Sequence, residues 1–94
     1  MQEPTIVTAE NLDEISPSDL QKEATQALAR GERVELYEGD WNGVRVSTLV
    51  VDGYRAGQAS NGNASWGDWN EESQTVTLDS GETVDLDGGE VEAA

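Results

Sequence analysis

The chain has 94 residues, with 20 acidic against 5 basic side chains, a formal net charge of −15 at pH 7, and neither cysteine nor histidine. That length makes one domain near the small end of what folds unaided, and the charge excludes direct binding to DNA, RNA or anionic membranes. The missing residue types exclude disulfides, thiolate or imidazole metal sites, and nucleophiles activated by a Ser-His or Cys-His pair.

Only 18 residues are Val, Leu or Ile and none is Phe, which puts the composition at the border of disorder. The apolar residues fall into periodic groups separated by turn signals. The expectation is therefore a folded domain with a thin core and modest stability. No base follows Arg55, whereas nine acids do, so the acidity runs through the body of the chain and is not confined to a tail. No apolar run is long enough to span a membrane, and Met1-Gln2-Glu3-Pro4 lacks the basic start and apolar middle of a signal peptide. The expected location is cytoplasmic, or the virion if the protein is virus-encoded.

In chain order, residues 1–15 read as an N-terminal arm outside the main core. Thr5-Ile6-Val7-Thr8 is β-branched, and Ala9 to Glu14 suits one helical turn capped by Thr8. Ser16-Pro17-Ser18-Asp19 then gives an N-cap serine, a proline at the first helical position and an early acid. Ile15 and Leu20 have the spacing of a hydrophobic staple. The spacing predicts a helix from Pro17 to about Arg30, stopped by Gly31. Its narrow stripe of Leu20, Ala24, Ala27 and Leu28 suits close packing on a sheet.

From Arg33 the period changes to two. Val34 and Leu36 alternate with polar neighbours. Val44 to Val51 is the longest β-branched run, bracketed by the hairpin dipeptides Asn42-Gly43 and Asp52-Gly53, so it belongs inside a sheet. The chain returns through Tyr54, Ala56 and Gln58. Thr75–Leu78 and Thr83–Leu86 form a hairpin over Asp79-Ser80-Gly81, with Val76, Leu78, Val84 and Leu86 inward and Thr75, Thr77, Thr83 and Asp85 outward. Residues 60–73 read as a long irregular loop, and 88–94 as a frayed acidic tail. The expected fold is α+β: one N-terminal helix packed on a mostly antiparallel meander sheet of about five strands. The expected domain is 16–87, between the arm and the tail.

No residue pattern identifies catalysis. Paired carboxylates can cleave glycosidic bonds, but among so many acids no pair stands out. Asp85-Leu86-Asp87-Gly88 starts like a calcium loop, yet its glycine comes too early and no acid closes it. Asp68 to Glu72 has Ser73 where that glycine belongs. No glycine pattern cradles a phosphate, and Asn63-Ala64-Ser65 is a glycosylation acceptor without an export signal. The reading assigns no metal, no cofactor and no enzyme activity.

The interaction candidates are Trp41, Leu49, Val51, Trp66 and Trp69. Tryptophans anchor interfaces, although Trp66 and Trp69 also suit a thin core that needs large plugs. Leu49-Val50-Val51 is apolar on both faces, so that end of the strand needs two covers, and a partner would dock beside Leu49 and Val51. The acidic surface gathers Glu71, Glu72, Asp79, Glu82, Asp85 and Asp87. On a strand, alternate side chains stand about 6.6 Å apart, close to the spacing of phosphates, which would put Thr83, Asp85 and Asp87 on one face.

Dense acid, one lysine, no cysteine and abundant Val and Thr are similar to the composition of proteins from salt-loving organisms. In size and charge the chain is also similar to small acidic phage proteins that block restriction or CRISPR effectors, and to nuclease-immunity proteins, though it shares no motif with them. The reading is a non-catalytic, salt-adapted interaction or structural module. A virion component or small adaptor of a halophile or its virus fits it, with a protein partner through self-assembly or a basic surface. The alternative is an acidic nucleic-acid mimic that occupies the basic cleft of a nucleic-acid-binding protein.

Overall fold

The structure, a computed structural model, describes residues 3–15, 18–60 and 63–91. Its elements are β1 (Thr5–Ile6), a short 3-10 helix (Leu12–Glu14), α1 (Ser18–Ala29), β2 (Val34–Trp41), β3 (Val44–Val51), β4 (Arg55–Ser60), β5 (Asn63–Asn70), β6 (Thr75–Leu78) and β7 (Thr83–Asp85). The fold is α+β: one helix and a seven-stranded antiparallel sheet whose spatial order is its sequence order, β1 to β7.

Seven strands replace the expected five or so because two segments read as irregular are paired. β1 comes from the arm and lies against Glu35 and Leu36. β5 comes from the expected loop and pairs along both edges. Its Asn, Ser, Gly and Asp residues are poor strand formers by themselves, and neighbours on both sides override that preference. Ser60 pairs with Asn63, which leaves a two-residue connection of sequence Asn61-Gly62. That dipeptide is a hairpin signal equal to Asn42-Gly43.

The expected cap of α1, Ser16-Pro17, lies outside the described residues. At the other end Gly31 has φ +79°, the Glu32 N–H bonds the Ala27 carbonyl, and the Gly31 N–H bonds that of Leu28. This pair of bonds is a Schellman stop. Leu20, Ala24 and Ala27 are buried, with Leu28 partly so. They cover a row running across the sheet from Leu36 to Leu49, Gly57 and Trp66. Val7 and Ile15 are buried in the same cluster. The arm is therefore part of the core, fastened where the Asn11 side-chain amide donates to the Ile6 carbonyl and its oxygen accepts the Thr8 N–H.

The opposite face holds a second cluster of Tyr37, Val50, Ala56, Val76, Val84 and Leu86. β3 thus contributes Leu49 and Val51 to one layer and Val50 to the other, which accounts for its double-sided apolar end. The cover for Val50 is the sheet itself. The Gln58 amide reaches across to the Asp85 carbonyl, and the Asp87 carboxylate accepts the Asp40 N–H, so the far end of the meander curls back toward β2. Residues 88–91 are not frayed: Asp85 N–H bonds Gly89, Val91 N–H bonds Thr83, and Val84 bridges Glu90. Asp85 also accepts the N–H groups of Asp87 and Gly89, which builds this turn locally. Thr75, expected to point outward, is buried, with its hydroxyl 2.7 Å from that of Ser73.

Candidate interaction surface

Two of the five interaction candidates are core residues. Leu49 is fully buried and Val51 only 9% exposed, both in the layer covered by α1, so Leu49 offers no contact area to a partner and Val51 only a small edge of the cleft beside Tyr54 and Trp66. The double-sided apolar stretch reflects two internal layers. Trp66 and Trp69 are half-buried and, being an odd three residues apart on a strand, lie on opposite faces of β5. The Trp66 ring lies over Gly57, and the Arg55 guanidinium carbon stands 5.9 Å from its centroid. Trp69 meets Tyr37 with ring centroids 5.3 Å apart and planes tilted by 35°. Both tryptophans pack as plugs, one for each layer.

Trp41 is different. It ends β2 at the Asn42-Gly43 hairpin, where φ values of 52° and 82° identify a type I′ turn. The Asp40 carboxylate stabilises that turn by accepting the Gly43 N–H at 3.0 Å. Trp41 belongs to neither buried cluster and remains 50% exposed. Beside it lies a cleft of about 190 Å³ lined by Trp41, Val44, Val46, Gln58, Ser60 and Gly88. Other clefts lie between β1 and β2 around Val7, Ile15 and Leu36, about 230 Å³, and around Arg30, Tyr54, Arg55 and Trp66, about 290 Å³. All three are smaller than the roughly 300–1,000 Å³ usual for small-molecule sites.

The acids divide into two groups. Glu71, Glu72, Asp79 and Glu82 are exposed around the last two turns, whereas Asp85 and Asp87 are half-buried in the closing turn. The expected row of Thr83, Asp85 and Asp87 does not form, because β7 ends at Asp85 and Asp87 turns to the Asp40 N–H. Every arginine carries an acidic partner: Arg30 with Glu32, Arg33 with Glu35, Arg45 with Glu38, and Arg55 with Asp79. Exposed pairs like these contribute about 0–1 kcal/mol each. Their larger effect is to leave Lys22, exposed on α1, as the base outside these pairs to face all the remaining carboxylates. Among the described residues no group of three or more acids converges to hold a metal ion, and no helix is long and apolar enough to cross a membrane.

The ionisation of Tyr37 is displaced. Burial raises its pKa above 10.0, and the charges of Glu35 and Glu71 raise it further against a smaller opposing effect of Arg33. Its packing against Trp69 within the second cluster marks it as structural. No protein-family model, curated protein or solved structure matches the chain. Sequence reasoning singled out Trp41 through its hairpin. The cleft beside it went unseen because its lining joins residues of β2, β3 and β4 to Gly88, which follows β7.

Proposed function

We propose that this protein is a non-catalytic, salt-adapted interaction or structural module that meets a protein partner through its acidic surface. The observation that carries the reading is the imbalance of surface charge. The arginines are already paired, and exposed carboxylates occur on the N-terminal segment, on the helix and on the connections between strands. In molar salt the Debye length falls to roughly 3 Å, so such charges repel little beyond contact. A thin two-layer core then suffices to hold the fold. A virion component or small cytoplasmic adaptor of a halophile or its virus is the narrower form of this proposal.

Urea unfolding in molar KCl and in 0.1 M KCl tests the adaptation. At about 0.1 M the Debye length is roughly 10 Å, so repulsion extends across neighbouring strands. The urea midpoint is expected to fall sharply at the lower salt, and an unchanged midpoint would remove salt adaptation from the proposal. Co-purification from the native host tests the partner. Recovery with a capsid, tail or scaffold protein supports the module, whereas recovery with a nuclease or CRISPR effector replaces it with a nucleic-acid mimic.

A further inference from the structure

We propose that the cleft beside Trp41 is a docking point for one basic side chain, lysine or arginine, carried on a peptide segment of the protein partner. This rests on the acidic-module reading and narrows it to a place and a chemistry. The cleft holds about 190 Å³, below the roughly 300–1,000 Å³ of small-molecule sites, and so suits a single side chain. Its walls, Trp41, Val44 and Val46, are apolar, while Gln58 and Ser60 give it a polar edge. That combination matches a side chain with a methylene stem and a charged tip, which buries the stem and leaves the tip near water.

The electrostatics select the sign of the tip. The Asp85 carboxylate and the Trp41 ring both lie against Gly89: a methyl group placed there would stand 2.9 Å from the ring and 3.2 Å from an Asp85 oxygen. Asp87 is fixed on the same turn by the Asp40 N–H, at 3.2 Å. Exposed Glu90 follows Gly89 on the same turn. The base across the hairpin, Arg45, pairs in register with Asp40 and is bonded to Glu38, on the face of the hairpin opposite to Trp41, and so does not neutralise Asp85 and Asp87. Anionic groups are therefore disfavoured here, and a cation gains both from the carboxylates and from the indole face.

Trp41 is also prepared for contact. Its ring rests on the backbone at Gly89, yet half its surface is open. An aromatic side chain held in place loses little entropy on binding, which is how such residues come to dominate interfaces. The larger cleft at Trp66 lacks this selectivity, since Glu23 and Glu32 face Arg30 and Arg55 there.

The test titrates the 15N-labelled full chain with two capped peptides, alternating arginine-alanine and its neutral citrulline analogue. The lowest KCl concentration that keeps the protein folded is used. Saturable movement of the Trp41 indole N–H signal is expected with the arginine peptide alone, with smaller movement at Trp66 and Trp69. Val44→Lys places a lysine in the cleft and is expected to weaken binding about tenfold, the effect of losing an interface anchor. Thr77→Lys makes the same charge change on β6 and is expected to alter affinity less than about twofold, as for a peripheral charge. Trp41→Leu serves as the second cleft variant if Val44→Lys does not fold.

Equal affinities for the Val44→Lys and Thr77→Lys proteins would overturn the cleft assignment while leaving an acidic surface that binds basic peptide. Equal binding of the citrulline peptide would overturn the cationic selectivity. Concentration-dependent movement of Trp41 without peptide would reassign the cleft to a second copy of this chain. No binding of the arginine peptide would count against both the cleft and the basic-partner form of the module.

Discussion

The Asp87 carboxylate accepts the backbone N–H of Asp40 at 3.2 Å, linking residues 47 apart in sequence. β1 pairs with β2 only at Glu35 and Leu36, so the far half of β2 has an outer edge that β1 does not cover. Open edges invite pairing with other chains. Asp87 occupies part of this one with a side chain and allows the curled sheet to meet its own start without another strand.

Gly39 is what permits the approach. A methyl group at that position would lie 2.2 Å from the Asp87 carboxylate and 2.7 Å from the Leu86 carbonyl. Gly39→Ala is expected to cost about 1–3 kcal/mol through overpacking. Asp87→Ala removes an acceptor from a strand N–H and is expected to cost about 1 kcal/mol. Asp87→Asn keeps an oxygen there and should cost less than Asp87→Ala. Urea midpoints at fixed salt order the three variants, and an Asn variant as weak as the Ala variant would reject the hydrogen-bond account.

A second glycine permits a close approach between strands β5 and β6. At Gly67 an added methyl would meet the Thr77 carbonyl at 2.0 Å and the Leu78 Cα at 2.5 Å, both backbone atoms of the partner strand. At Gly57 the obstacle is the Trp66 ring at 2.6 Å, a side chain that can turn aside. Gly67→Ala is therefore expected to exceed the usual overpacking cost of about 1–3 kcal/mol, with Gly57→Ala inside it. Gly57→Ala should also shift Trp66 fluorescence, because the ring has to move. A Gly57 variant less stable than the Gly67 variant would contradict this ordering.

The helix, its glycine stop, the hairpins around β3 and the inward set of the last hairpin were legible because each has a local cause. Gly31, Asn42-Gly43 and Gly81 all have the positive φ values that such turns need. β5 was not legible, since its two plugs face opposite layers and leave no alternation to read. Nor was the cover of β3 on the Val50 face, because a strand covered by its own sheet has the same sequence signature as one awaiting a partner. The closing contact of Asp87 depends on curvature, which no local pattern encodes.

The two layers share β3, so they are expected to unfold together. Leu49 is fully exposed to neither solvent nor the second layer, and sits wholly within the cluster under α1. Leu49→Ala is expected to cost about 2–5 kcal/mol, a large share of the roughly 5–15 kcal/mol that holds a small domain. Far-UV circular dichroism follows α1, and the NMR signal of the Trp69 indole N–H follows the other layer. Coincident transitions are expected in the parent protein. A variant that loses helix signal while the Trp69 environment persists would show that the layers are separable.

Tyr37 gives the fold an alkaline limit. Burial first, then the charges of Glu35 and Glu71, hold its pKa above the ordinary value of 10.0. The folded state therefore keeps the phenolic proton when the unfolded state begins to lose it. Stability from this group is complete below pH 10.0, declines as pH rises toward the folded pKa, and is lost above it. Tyr37→Phe is expected to flatten that alkaline limb while leaving the acid side of the profile unchanged. In a Tyr54→Phe background, phenolate absorption near 295 nm isolates Tyr37. Its midpoint should lie higher in the folded protein than in urea, and the gap should narrow as salt screens the two glutamates. Equal midpoints in the two states would remove Tyr37 as the source of alkaline unfolding.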